Sequence, residues 1–249
     1  MLSGPAQIQS DAFRRCAIAH EQTGPSDPKQ PLVFSYLELR KAVGWIGLLL
    51  PGILFLGGKA LPPHIGLQSS ISAYYYTKMG PVFIGLLCAI GVFHLATEGY
   101  DLVDRIAGRL ACVFALGVAW FPTTPASPCP PCHIAKVIGH VHVACATSLF
   151  LILSVFCLFQ FTQSDLPKEK RTPRKNARNV IYRICGCTIL LAMLLALIFG
   201  FSKGCGDKST ALFWCETLAL VAFGFAFMVK GEAFLGDHPH PRAYVEGGQ

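Results

Sequence analysis

Six separate runs of nearly uninterrupted apolar residues, at 42–58, 81–97, 106–121, 138–161, 184–201 and 211–229, constrain this chain more than any motif in it. Each approaches the roughly 20 residues that a helix needs to cross a bilayer. The runs do not alternate, as barrel strands would, and lipid offers no partner to open backbone donors and acceptors. The expected fold is therefore all-α, a polytopic membrane bundle with six transmembrane helices. Composition agrees, with 53% of residues hydrophobic and 14% charged, whereas about a quarter of a soluble domain is charged. A water-soluble enzyme is disfavoured from the outset. The third run is the weakest, because it reaches a spanning length only if Arg109 extends its guanidinium to the headgroups while its stem stays in lipid.

Cytoplasmic segments of membrane proteins carry the excess of Lys and Arg, which gives an orientation test. Of the 21 such residues, only Lys59, Lys78, Lys136, Lys203 and Lys208 fall on one side of a six-span arrangement, and the other 16 fall on the side shared by both termini. Both termini are thus expected in the cytoplasm of a cell (inner) membrane protein. Residues 1–35 lack the apolar core of a signal peptide and read as a cytoplasmic tail. Residues 36–231 form the six-span membrane domain, and 232–249 a second cytoplasmic tail. Between the fourth and fifth runs, residues 167–178 are basic and interrupted by Pro167 and Pro173, which reads as a flexible loop on anionic headgroups. Nucleic acid is not an expected partner, since topology signals account for these charges. Pro51 is expected to kink the first span.

Ionisable groups inside spans are costly and are the first places to look for function. Apart from Arg109, there are four: His94, His140, His142 and Glu216. His94 lies near the cytoplasmic end and reads as a buried structural imidazole. The other three lie near the outer end. His140 and His142 are about 200 degrees apart on a helix, so they do not share one small site. At the same level lies Gln68-Ser-Ser-Ile-Ser-Ala-Tyr-Tyr-Tyr-Thr77, whose hydroxyls can meet His142 and Glu216 in an outward-opening polar pocket. A Ser with a base and an orienting carboxylate, or a metal-bound water, can support hydrolysis when such groups converge. The plainer reading is a Tyr belt at the interface with a solvated Glu216. No HExxH and no His pair at i, i+4 spacing marks a zinc enzyme.

Most of the 11 Cys sit inside apolar runs and behave as small packing residues. Cys129 and Cys132, followed by His133, differ. On the oxidising side they suit a structural disulfide with each other or with Cys205, ahead of metal capture, thiol redox work, or c-type haem attachment with a distal His140 or His142. Zinc or haem at Cys129, Cys132 and His133 is the minor option, and no cofactor is expected with more weight than that.

Several stretches form an ordered set: Ser35 to Gly44, Leu50-Pro51, Gln68 to Tyr75, Gly99-Tyr-Asp101 with Asp104, Phe121-Pro-Thr123, His142, and Phe213-Trp-Cys-Glu216 leading to Lys230-Gly231. Taken together they resemble a family of uncharacterised bacterial six-helix integral membrane proteins, distantly DRAM-like. The resemblance implies emphasis on the Ser-Ile-Ser-Ala-Tyr-Tyr stretch, His142 and Glu216. It implies no reaction, and it does not extend to Cys129 and Cys132.

The first functional expectation is a protein that binds or moves a lipid or small amphiphile through a pocket lined by Ser70, Ser72, Tyr75, His142 and Glu216. A membrane-embedded lipid hydrolase using His142 and Glu216, with or without a metal, is the alternative. An accessory subunit packed against a membrane-protein partner, or against its own copy, is the third. Small residues in the spans suit such close packing.

Overall fold

The computed structural model describes residues 30–96, 102–127, 130–164, 171–202, 204 and 209–235. The chain divides into two units, Met1–Tyr36 and Leu37–Gln249, and the second carries everything that follows. Among the described residues the regular elements are helical, and no strand occurs. They are α1 (Gln30–Ala60), α2 (Gly80–Ala96), α3 (Leu102–Trp120), α4 (His133–Val155), α5 (Pro173–Ser202) and α6 (Ala211–Lys230).

Four of these helices contain stretches long and apolar enough to cross a membrane: Tyr36–Ala60, His133–Gln160, Pro173–Gly200 and Ala211–Lys230. Such lengths match a bilayer's hydrocarbon thickness, and they make this a helical bundle of membrane type. The segment Gly80–Ala96 is apolar but shorter. Helix α3 begins with Asp104, Arg105 and Arg109, and its exposed Val103, Ile106, Leu110 and Val113 lie beside those charges. Many other large apolar side chains face outward, including Leu56, Val92, Leu151, Ile184 and Leu194. Lipid satisfies such a surface where water would not.

Helix α1 runs through Pro51 without interruption. It crosses α6 at unusually close range. A Cβ on Gly44 would lie 2.9 Å from the carbonyl oxygen of Gly224, and one on Gly224 would lie 2.7 Å from that of Gly44. Such backbone approach is how helices associate where lipid removes the hydrophobic drive. No GxxxG spacing announces it, because each helix contributes its own glycine. Below that crossing the core is aromatic. Phe223, Phe227, Phe156 and Phe161 stack in sequence around His94, which is 2% exposed. The last turn of α4 widens into a π-turn over Phe156–Gln160, closed by Phe161 N–H donating to the Phe156 carbonyl at 2.8 Å. That turn brings Phe156 and Phe161 into a parallel stack 6.2 Å apart.

The basic stretch between the fourth and fifth apolar runs is not a loop throughout. Pro173 opens α5, so Arg174, Lys175 and Arg178 are helical. Thr172 Oγ1 accepts the Lys175 N–H at 3.1 Å as an N-cap, and proline at the first helical position loses no hydrogen bond. The cap and the proline together start the helix well ahead of the apolar run.

Candidate functional site

The connection between α1 and α2, residues 61–79, would ordinarily lie on the surface. Its first residues, 61–64, are exposed, but the part from Ser70 to Met79 packs into the bundle. Ser70, Ile71, Ser72, Tyr74 and Met79 are each less than a tenth exposed, and Tyr74 is fully buried. A buried loop needs a partner for each of its backbone groups, and the sequence provides many of them locally. Ser70 Oγ accepts the Ala73 N–H at 3.0 Å, Thr77 Oγ1 donates to the Tyr74 carbonyl at 2.7 Å, and the Met79 N–H donates to Thr77 Oγ1 at 3.1 Å. The result is a short 3-10 turn over Ser72–Tyr76. Gly80 lets the chain enter α2, since a Cβ there would lie 2.4 Å from the Tyr75 carbonyl oxygen. Burial also raises the Tyr74 and Tyr76 phenols above their ordinary value, so both stay neutral near neutral pH.

Two long-range ties hold this turn in place. Glu216, half-buried in the second turn of α6, accepts the Ile71 N–H at 2.6 Å through Oε2. A carboxylate on a backbone amide is a strong hydrogen bond in a site shielded from water. On the other side, His142 is 3% exposed on α4. Its Nδ1 lies 2.6 Å from the Phe121 carbonyl and its Nε2 2.9 Å from Ser72 Oγ. A carbonyl only accepts, so Nδ1 carries the hydrogen and, in the neutral ring, Nε2 is left to accept from the Ser72 hydroxyl.

The segment that presents the Phe121 carbonyl is itself anchored. Tyr76 Oη donates to the Thr123 carbonyl at 2.5 Å. Gly139 on α4 leaves room for Thr124, whose Oγ1 would lie 1.9 Å from an added Cβ. Thr124 and Gly139 carry no chemical signature in the sequence, and only the packing identifies their part in placing His142. Phe121 acts through its backbone, which residue type does not encode.

Beside Ser72 lies a cavity of about 50 Å³. Leu50, Phe83, Leu87, Val118, Leu149 and Phe223 form its walls from five helices, with Ser72 and Glu216 as its polar contributors. The cavity is thus apolar with a polar patch at Ser72 and Glu216. The five proposed residues meet it unequally. Ser72 and Glu216 line it, and His142 reaches it only through Ser72. Ser70 is spent on the turn. Tyr75 is half-buried and stacks edge-on against Tyr76, with centroids 5.3 Å apart. His140 is exposed where His142 is buried, and Glu216 meets the backbone of the Ser-rich stretch at Ile71.

Cys132 is exposed at the N-cap of α4, next to the exposed His133, while Cys129 and Cys205 lie outside the described residues. Among the described residues no three His, Cys, Asp or Glu side chains converge as a metal-binding group. No family model, no curated protein and no solved structure matches this chain.

Proposed function

We propose that this is a six-span integral protein of a bacterial inner membrane, with both termini cytoplasmic, that binds a lipid or small amphiphile from its outer face. The observation that carries it is the interhelical cavity, whose walls are apolar and whose polar contributors are Ser72 and Glu216. Its size decides what kind of ligand fits. Drug-sized ligands occupy clefts of roughly 300–1,000 Å³, so a cavity of about 50 Å³ takes part of an alkyl chain. An amphiphile lodged in it keeps the rest of its length in lipid and places its polar group near Ser72 and Glu216. Replacing His142 and Glu216 together by Ala releases both ties on the turn. The expected result is a folded protein that no longer retains the amphiphile on purification. Unchanged retention in that double variant contradicts the reading.

A second reading, hydrolysis of a lipid ester, is favoured by the Ser72 to His142 hydrogen bond. With Nδ1 fixed on a carbonyl, Nε2 is oriented to take the Ser72 proton, as a general base must. This reading predicts covalent labelling of Ser72 by an alkyl fluorophosphonate in the intact protein, lost on His142→Ala. Absence of labelling leaves the hydrogen bond as a strut and the binding reading intact.

A further inference from the structure

The cavity beside Ser72 has a polar end and an apolar length, and the hydrogens at its polar end are already committed. Its lining positions recur along three helices, from Phe83 to Ile90 on α2, Ala146 to Leu153 on α4 and Glu216 to Phe223 on α6. Each interval of seven residues is roughly 10 Å of helix. Ser72 and Glu216 are the polar lining residues, and none of the described lining residues is basic.

The direction of each hydrogen bond follows from the groups that cannot reverse. The Phe121 carbonyl, 2.6 Å from His142 Nδ1, only accepts, so Nδ1 carries a hydrogen. The ring's other partner, Ser72 Oγ at 2.9 Å, is also uncharged, and neither oxygen balances a positive ring inside the bundle. In the neutral ring Nε2 is the acceptor, and Ser72 gives it the one hydrogen that its hydroxyl has. Ser72 therefore turns lone pairs to the cavity. The neighbouring Ile71 N–H is spent in the same way, on Glu216 Oε2 at 2.6 Å. Glu216 itself offers carboxylate oxygens, which only accept. The polar end is thus a set of acceptors with a negative charge among them.

A ligand complements such a patch by bringing hydrogens and positive charge. A primary ammonium has three donors and no acceptor, and its attraction to a carboxylate grows as the surroundings become less polar. A hydroxyl head brings one hydrogen and no charge. A carboxylate or phosphate head sets acceptors against acceptors and meets like charge, with no described cation in the lining to offset it. A volume of about 50 Å³ leaves room for one chain at most.

We propose, building on the reading of this cavity as an amphiphile site, that its ligand is a single-chain amphiphile with a primary ammonium head, held by Ser72 Oγ and Glu216. The test titrates three probes that share one tail, dodecylamine, dodecanol and dodecanoate, into the full-length protein in a maltoside detergent at neutral pH. Native mass spectrometry reads the adduct and thermal unfolding is followed in parallel, with each probe's concentration corrected for uptake by the micelle. Dodecylamine should bind roughly ten-fold or more tightly than either of the others. In Glu216→Gln, which keeps an acceptor for the Ile71 N–H and drops the charge, the preference for the amine over the alcohol should disappear while dodecanol is still bound. Should Glu216→Gln fail to fold, the ranking of the three heads on the wild type decides alone. Dodecanol or dodecanoate binding as tightly as dodecylamine, or a preference that survives in folded Glu216→Gln, overturns the ammonium assignment and leaves the cavity an amphiphile site. Undiminished dodecylamine binding in Ala146→Leu, which takes up cavity volume, places the amine elsewhere and overturns it too. No adduct with any of the three overturns the amphiphile reading itself, and the assignment falls with it.

Discussion

At the residue scale, His142 does the most with one side chain. It joins α4 to the Phe121 carbonyl and to Ser72, so two segments far apart in sequence share one ring. Replacing it by Phe keeps volume and deletes both hydrogen bonds. Interhelical hydrogen bonds in membranes are worth about 0.6 to 2 kcal/mol each, so His142→Phe should lower the unfolding temperature in detergent by a few degrees. The same change at exposed His140 should leave it unmoved. Equal effects at both positions would contradict the assignment. Glu216 separates charge from shape in a similar way. Glu216→Gln keeps an acceptor for the Ile71 N–H but loses the charge assistance, while Glu216→Ala leaves a buried N–H without its partner. The Ala variant should be the less stable by about 1–3 kcal/mol, which a urea or detergent denaturation series measures. Much of this was legible in advance. The 200-degree offset separates the two His, and depth alone groups His142, Glu216 and the Ser-rich stretch. Hidden were Phe121 and Thr124, whose contributions are a carbonyl and a fit against Gly139.

At the element scale, the six apolar runs coincide with six helices, and hydropathy is a sound guide because lipid penalises unpaired backbone so heavily. The ends were less legible. Helix α5 starts at Pro173, since capping and proline geometry act through a few local residues that a charge count reads as linker. The loop at 61–79 was expected to contribute hydroxyls, yet its burial depends on ties from α4 and α6 that no local pattern encodes. Helix pairing was also invisible, because the Gly44 and Gly224 contact needs one glycine from each partner. That contact makes a contrast testable. Gly224→Val forces α1 and α6 apart and should cost about 1–3 kcal/mol. Gly52, which has nothing within 4 Å of an added Cβ, should accept Ala with no loss and a gain of up to about 1 kcal/mol. Thermal unfolding of both variants in the same detergent checks the pair. Similar destabilisation at both sites would show that the close crossing has no special weight.

At the scale of the whole molecule, the bundle has two differently built ends. One carries a partly buried loop, a hydrogen-bonded Ser and His pair and a small apolar cavity. The other concentrates arginine and lysine around aromatic rings. The proposed orientation, with the second end in the cytoplasm, would put the exposed Cys132 on the outer face. A membrane-impermeant maleimide should therefore label Cys132 in intact cells in a chain whose other cysteines are replaced by Ser or Ala, and failure to label until the cells are opened would reverse the orientation. The central claim is that the cavity beside Ser72 receives the apolar part of an amphiphile. Ala146 lines that cavity, and Ala146→Leu takes up its volume without replacing Ser72, His142 or Glu216. A native mass spectrum of the detergent-purified protein tests the claim most directly. The account predicts a retained amphiphile on the wild type that is lost in Ala146→Leu with the unfolding temperature held or raised. A bare wild-type chain, or an adduct that survives in Ala146→Leu, would contradict it.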